Sequence, residues 1–497
     1  SMVKYFTLFL ILFSITTNCY SQVVLNNSNC RNAYEDILSL KFDDARIKIQ
    51  SEKKSNPNNV FIDYLENYID FLTVTISEDE NIFDSIEDAI QIRTNRIKKL
   101  DDTCRYKKYF LGNINLQWAT VDLRFRNYAT GAIEINRSYR LLIDNEKNFP
   151  QFFPNVITLG VLHVIIGIVP DSYNWLLSLV SMSGSVEQGR DELQLALRKC
   201  SSTPHFKFLQ NEILFYLGMI DLNLSPDPEF ASNLITKIEN INHESLLLSY
   251  LSINAMMKNG KNEYALRQFD SIDSSIEYYP FYYLNYLQGE CQLRKLNTTE
   301  AKKNYLVFTS NFSGTNYVKD AWRKIGWCSL IEGDTTSYLK SLKHLLELGE
   351  LNIDADKNAQ EVALKEIIPS VDLIKARLLS DGGYYHMADS VLYSLSDESL
   401  STLQIVEKNY RLGRIAHQTK DYEKAKKYYM ITINKGRVLP QYFAANSALK
   451  LGNIYELLNE SDNAKVYYEL CLDMDFEEYK NSIRGKAKQG LERVTDN

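Results

Sequence analysis

The sequence predicts an all-α fold, a solenoid of helical hairpins each packed on the next. Three observations carry this. A pair of short words recurs near the C-terminus, Gly413…Ala425…Tyr429 and Gly452…Ala464…Tyr468, with every equivalent residue 39 positions apart. Self-similarity at a period of roughly 20 to 50 residues marks a repeat array. Proline is scarce, 10 in 497 residues, so long helices meet few obligatory breaks. Apolar residues recur at three- and four-residue spacing over Val60 to Ile76 and Ile82 to Leu100, the period of one helix face. A chain this long would ordinarily split into several domains, whereas in a solenoid each repeat packs only on its neighbours.

Composition narrows the function classes. An apolar content of 45% excludes a wholly disordered chain. A net charge of −7 and the absence of a polybasic run argue against nucleic acid as a partner and against electrostatic membrane anchoring.

The first 21 residues read as an export signal. Lys4 supplies the positive charge, Phe6 to Ile15 the short apolar core, and Cys19 and Ser21 the small residues before a cleavage ahead of Gln22. An acylated Cys19 is the rival reading, although Asn18 is a poor residue before a lipidated cysteine. Export predicts a periplasmic or outer-membrane-associated protein.

Residues 22–240 form an irregular helical region. Phe42-Asp43-Asp44-Ala45 opens one helix, and Val60 to Ile76 and Ile82 to Leu100 are amphipathic. Tyr109 to Phe125 and Ala129 to Leu142 make a hairpin, followed by a loop over 144–154 with Pro150 and Pro154. Residues 156–182 differ: two apolar arms flank Pro170-Asp171. The first arm, about 14 residues, falls short of the ~20 that span a bilayer, so it predicts a buried helix, with peripheral membrane association as the alternative. Pro226-Asp227-Pro228 breaks one helix and starts another.

Residues 241–497 carry the array. In the Gly289, Gly413 and Gly452 units a small residue permits a close helix approach, an alanine follows twelve positions on, and a large residue four beyond that fills the gap, while in the Gly260 and Gly383 units the alanine follows the glycine after five. The units are Gly260, Ala265 and Phe269; Gly289, Ala301 and Tyr305; Trp322, Gly326 and Gly333, with Tyr338 where alanine is expected; Gly383, Ala388 and Leu392; then the two opening words. The final helix, Ser482 to Val494, lays Ile483, Ala487 and Leu491 over the last repeat as a cap.

The residues Leu412-Gly413, Tyr422, Ala425, Tyr429 and Leu451-Gly452, Tyr455, Ala464, Tyr468 resemble tetratricopeptide repeats. The resemblance covers residues 240–493, with Asn409 and Ala448 in place of the usual tryptophan and Arg437 where proline closes the repeat. It implies a right-handed superhelix that binds a protein or peptide segment in its concave groove. The stretch from Val156 through Gly184, Gly189-Arg190 and Leu193 resembles the tetratricopeptide repeat protein 39 family, which implies an adaptor role.

Alignment on the glycines places Tyr286, Glu290, Arg294, Arg323, Trp327, Tyr410, Arg414, His417, Asn453 and Glu456 on the inner face. Aromatic, cationic and amide groups together suit an extended polypeptide, and Arg294, Arg323 and Arg414 form a candidate ladder for an acidic segment. The tyrosine-rich run 278–283 reads as packing between repeats. Cys30 and Cys104 lie outside the regular repeats, and their spacing does not decide whether they pair.

Catalysis finds no motif. The six histidines show no HExxH or i, i+4 pairing, and there is no GxSxG, Walker loop or GxGxxG. Adjacent acids such as Asp43-Asp44 and Glu477-Glu478 diverge by about 100° on a helix, so they do not converge on a substrate. No enzyme, cofactor or metal is expected. An outer-membrane nutrient- or glycan-binding protein built on such helices is the alternative function, weakened by only four tryptophans and few long loops.

Overall fold

The computed structural model describes residues 22–169, 182–224, 244–365 and 367–495. The expected export signal, most of the second arm of the apolar hairpin, the Pro226-Asp227-Pro228 break and the boundary at 240 lie outside the described residues. Among those described, every regular element is helical, apart from an isolated bridge between Val23 and Asn59. The chain divides into two compact units, Ser1–Leu251 with Ile272–Pro280, and Ser252–Ser271 with Phe281–Asn497.

The first unit holds α1 (Ser28–Leu38), α2 (Phe42–Ser55), α3 (Phe61–Ser77), α4 (Glu80–Lys98), α5 (Arg105–Arg124), α6 (Tyr128–Asn148), α7 (Pro154–Gly167), α8 (Val186–Ser202) and α9 (Gln210–Leu224). Local chemistry sets the starts. The side chains of Asn27, Asp79 and Ser185 accept backbone N–H bonds at the first turns of α1, α4 and α8, and Pro154 occupies the first position of α7. Helix α6 runs on to Asn148, so the loop expected over 144–154 is shorter than its polar sequence suggested. Asn145 extends the helix because it is buried and donates to the Arg105 carbonyl and to Asn155, both at 2.9 Å.

Small residues bring these helices close. The Ser138 hydroxyl donates to the Gly112 carbonyl across α5 and α6 at 2.7 Å, and Gly160 of α7 meets Gly189 of α8 backbone to backbone. Ten of the fourteen residues of α7 are buried, as a helix enclosed by neighbours requires. No helix among the described residues is long and apolar enough to cross a membrane. The aromatic centre of the unit packs Tyr34, Tyr64, Tyr68 and Phe110 around Glu212, whose carboxyl accepts from the Tyr34 and Tyr68 hydroxyls at 2.6 Å and from Tyr216 at 3.2 Å. Within residues 272–280, Tyr279 stacks on Phe42 and donates its N–H to the Leu40 carbonyl at 2.7 Å.

Helix α10 (Leu246–Lys258) contains the division between the units. The second unit continues with α11 (Asn262–Asp270), α12 (Tyr283–Arg294), α13 (Thr298–Asn311), α14 (Val318–Ile331), α15 (Thr335–Glu347), α16 (Asp354–Leu364), α17 (Val371–Asp381), α18 (Tyr385–Ser394), α19 (Thr402–Gln418), α20 (Tyr422–Gly436), α21 (Phe443–Leu457), α22 (Ser461–Asp473) and α23 (Lys480–Thr495). The repeat words are packing instructions. A Cβ on Gly289, Gly413 or Gly452 would lie 3.0, 2.8 or 2.5 Å from the ring of Tyr305, Tyr429 or Tyr468 in the following helix. Each tyrosine ring is fully buried against bare backbone. In the Gly326 unit Tyr338, standing at the alanine position, supplies this ring at 3.0 Å. That repeat is shifted by one helical turn rather than weakened.

Helix α16 is announced by no repeat word. It packs beside α14 and α15, and its Asp356 carboxylate accepts the backbone N–H groups of Tyr317 (2.8 Å) and Asp320 (2.9 Å). A side chain 36 to 39 positions away thus caps α14, where Tyr317 takes a left-handed φ of 65° and offers no cap of its own. At the far end α23 places Ile483, Ala487 and Gly490 on the last hairpin, with Tyr468 held between Gly452 and Gly490.

Candidate binding groove

In the second unit the first helices of successive repeats, with α16, enclose a cavity of about 240 Å³. Arg323 and Trp327 enter it from α14, Glu361 from α16, Arg377 from α17, and Glu407 and Arg411 from α19. Leu373, Ile374, Leu403, Tyr442 and Phe443 supply its apolar surface, and Glu478 stands at its edge. A wider depression beside Lys302, Lys303 and Leu306 on α13 is open to solvent, and its Lys302 is already paired with Glu332 at 2.9 Å.

The charges in the groove are arranged by neighbours. Arg323 pairs with Asp320 and donates Nη1 to Asn358 at 2.6 Å, while its buried Nε has no hydrogen-bond partner among the described residues. Burial works to raise the Asp320 carboxyl, but Arg323, Lys324 and the Tyr286 hydroxyl outweigh it and hold it at about 2. The Trp327 ring has three cations within cation–π reach: Arg323 at 5.2 Å, Arg377 at 5.4 Å and Lys324 at 5.5 Å from its centroid. Arg411 pairs with Glu407 at 3.0 Å and lies over the Tyr410 and Phe443 rings. Among the described residues Arg377 has one long ion pair, 3.9 Å to Asp381. Burial, then the charges of Glu361 and Glu407, raises the Glu478 carboxyl, with Arg377 and Lys365 opposing.

Of the ten residues expected on the inner face, the structure brings Arg323 and Trp327 together in this cavity. The others make internal contacts. Tyr286 donates to Asp320 at 2.5 Å, and Glu290 accepts from Tyr305 and Lys324. Arg294 reaches the Met257 carbonyl at 3.0 Å and that of Asp381 at 3.4 Å, joining the C-terminal ends of α10 and α17. Tyr410 is fully buried and accepts from Arg414 (3.1 Å) and Asn446 (2.7 Å). His417 sits 3.3 Å from the Tyr429 hydroxyl, and burial, then Lys450 and Arg414, push its imidazole down to about 4. Asn453 and Glu456 both accept from Tyr468, and Glu456 also pairs with Arg493 at 2.7 Å. The expected ladder of Arg294, Arg323 and Arg414 does not form, because Arg294 is held by carbonyls and Arg323 by Asp320.

Sequence reasoning missed Arg377, Arg411, Tyr442 and Glu478. Helix α17 has no glycine within it on which to align, so Arg377 carried no register. In α19 the cavity stripe is Leu403, Glu407 and Arg411, ending two residues before Gly413, whereas in α14 Arg323 precedes Gly326 by three. One residue is about 100° of rotation, so the same repeat position faces differently in the two helices. The spacing Leu403, Glu407, Arg411 is itself a legible signal, a mixed stripe at i, i+4 and i+8.

Cys30 and Cys104 do not pair; both are free thiols. Cys30 is buried in α1, where the Asn59 amide contacts its sulfur at 3.4 Å, and burial pushes it up to about 12. Cys104 sits at the N-terminal cap of α5. Among the described residues no group of histidine, cysteine or acidic side chains is placed to hold a metal ion.

Residues 409–430 and 445–478 match the family model for the tetratricopeptide repeat. Over these two segments the chain carries tetratricopeptide-type repeats. The matched repeats are the two opening words, α19 to α22, and they carry the Tyr429 and Tyr468 rings on Gly413 and Gly452. No curated protein matches the chain. A solved structure described as "Circular tandem repeat protein with novel repeat topology and enhanced subunit contact surfaces" aligns over 94% of this chain and 95% of its own, at 11% identity and a TM-score of 0.14. The likeness of residues 156–200 to the tetratricopeptide repeat protein 39 family receives no support from these comparisons.

Proposed function

We propose that the protein is an exported, non-catalytic scaffold, and that the cavity between Trp327, Arg377 and Arg411 holds an extended segment of a partner polypeptide. The observation that carries this is the composition of the cavity: a continuous apolar surface crossed by arginines at fixed positions. An extended chain presents apolar side chains to such a surface and backbone carbonyls to the guanidinium donors. The repeats matched at 409–478 belong to an architecture whose usual work is to bind other proteins. Two cations in the groove already have full ion pairs, Arg411 with Glu407 and Lys365 with Glu361 at 2.7 Å. Arg377, with its pair at 3.9 Å, is the one most open to a new acceptor.

A photo-crosslinking residue at Leu403, inside the cavity, tests this against the same residue at Lys303 on the outer depression. The reading expects a polypeptide adduct from position 403 only, lost when Arg377→Glu is added. Equal adducts from both positions, or an adduct indifferent to Arg377→Glu, would remove it. Export is tested separately. Intact mass of the protein from its native membrane fraction distinguishes a Gln22 start from an acylated Cys19 and from an uncleaved chain.

A further inference from the structure

We propose that Glu478 selects a basic side chain, an arginine or a lysine, on the segment that the Trp327 cavity holds. The proposal rests on the polypeptide reading above and names the chemistry of the residue recognised.

Ion pairing leaves one charge in the cavity unanswered. Each of the four cations in its lining has a carboxylate of its own: Arg323 has Asp320, Lys365 has Glu361 at 2.7 Å, Arg411 has Glu407 at 3.0 Å and Arg377 has Asp381 at 3.9 Å. Two of the three carboxylates in the lining, Glu361 and Glu407, are thereby taken. Glu478 makes no hydrogen bond or ion pair among the described residues. Burial, then the negative charge of Glu361, raises its carboxyl, and Arg377 opposes without pairing with it. A cation brought by a ligand would reverse that shift.

The backbone holds Glu478 in place. Phe476 is buried, the Glu477 N–H donates to the Pro440 carbonyl at 2.9 Å, and Tyr479 takes a left-handed φ of 57°. A residue with a side chain is disfavoured there, so this turn persists because its surroundings fix it.

Aromatic rings accompany the carboxylate. The Tyr479 and Tyr442 centroids lie 5.3 Å apart, and those of Tyr442 and Phe443 4.6 Å, and all three residues line the cavity. A carboxylate among aromatic rings suits a guanidinium or ammonium, which gains an ion pair and a cation–π contact together. The buried Arg323 Nε, with no hydrogen-bond partner among the described residues, offers a donor to a carbonyl of the same segment. A small anion would answer Arg323 and not Glu478. A polypeptide with a basic residue carries both a carbonyl and a cation, and answers both.

The test pans a phage-displayed random heptapeptide library on the full chain. Clones held in the cavity are those that bind the native protein and fail to bind Leu403→Trp, which fills it. These clones should carry arginine or lysine at one fixed position at about ten times its frequency in the library. Panning on Glu478→Gln should still yield clones but abolish that enrichment, and Glu478→Lys should replace it with an acidic residue. Glu478 is partly exposed, so both substitutions leave the fold intact. Cavity clones without the basic position, or a basic position that persists on Glu478→Gln, overturn the proposal and leave the polypeptide reading standing. The absence of any cavity clone removes the polypeptide reading and this one with it.

Discussion

Glycine 452 shows at the scale of one residue what the repeat words mean. Its missing Cβ would stand 2.5 Å from the Tyr468 ring, and the ring cannot withdraw because Gly490 closes its other side. Gly452→Ala therefore lowers stability by about 1–3 kcal/mol, read as a fall in the urea midpoint of the second unit. Gly485, half-buried in the same terminal helix, has nothing within 4 Å of its Cβ position, so Gly485→Ala holds or raises the midpoint by up to about 1 kcal/mol. A second residue-scale effect belongs to the first unit. Burial raises the Glu212 carboxyl above its ordinary 4.5, against the opposing hydrogen bonds from Tyr34, Tyr68 and Tyr216. The folded value lies above the unfolded one, so the neutral form contributes stability fully below about pH 4.5, and that contribution falls away as pH rises through the folded value. Relative to Glu212→Gln, the native protein loses stability on raising the pH from 4 toward 8, measured by denaturant unfolding at each pH. A native-minus-variant difference independent of pH would contradict this account.

Helices show how far local sequence goes. The starts of α1, α4, α8 and α19 are written in Asn27, Asp79, Ser185 and the reciprocal Ser401–Gln404 box, all within four residues of the turns they cap. Helix α14 has no such signal, because Asp356 of α16 supplies its cap from a distance. Asp356→Ala accordingly speeds amide exchange at Tyr317 and Asp320 and costs about 1–2 kcal/mol, while exchange in α19 is unchanged. The same contrast explains the groove. Arg323 and Trp327 were legible because Gly326 sets the register of α14. Arg377 was not, since α17 has no internal glycine, and Arg411 was not, since α19 presents a face about 100° from the one its glycine suggested.

Across the whole molecule, a repeat array ends in an exposed apolar face unless something covers it, and α23 covers this one. Cys471 reports on that cover. It is fully buried, and burial above all pushes its thiol up to about 12. A chain ending at Tyr479 loses Ile483, Ala487 and Gly490 from the last hairpin. Its Cys471 should react with a thiol reagent at least roughly tenfold faster than in the full chain, read by mass spectrometry of the 461–473 peptide. Equal rates would show that α23 is not the cover.

The sequence alone determined the all-helical class, the repeat spacing and the glycine–tyrosine partnerships, because these depend on residues within about one hairpin of each other. Only the tertiary structure decided which side chains share a cavity. Arg294 meets carbonyls from two other helices, and Asp356 caps a helix 36 residues upstream. The reason is geometric: the rotation of each helix about its axis sums contributions from inserted elements such as α16, and an error of a single residue turns a side chain by about 100°.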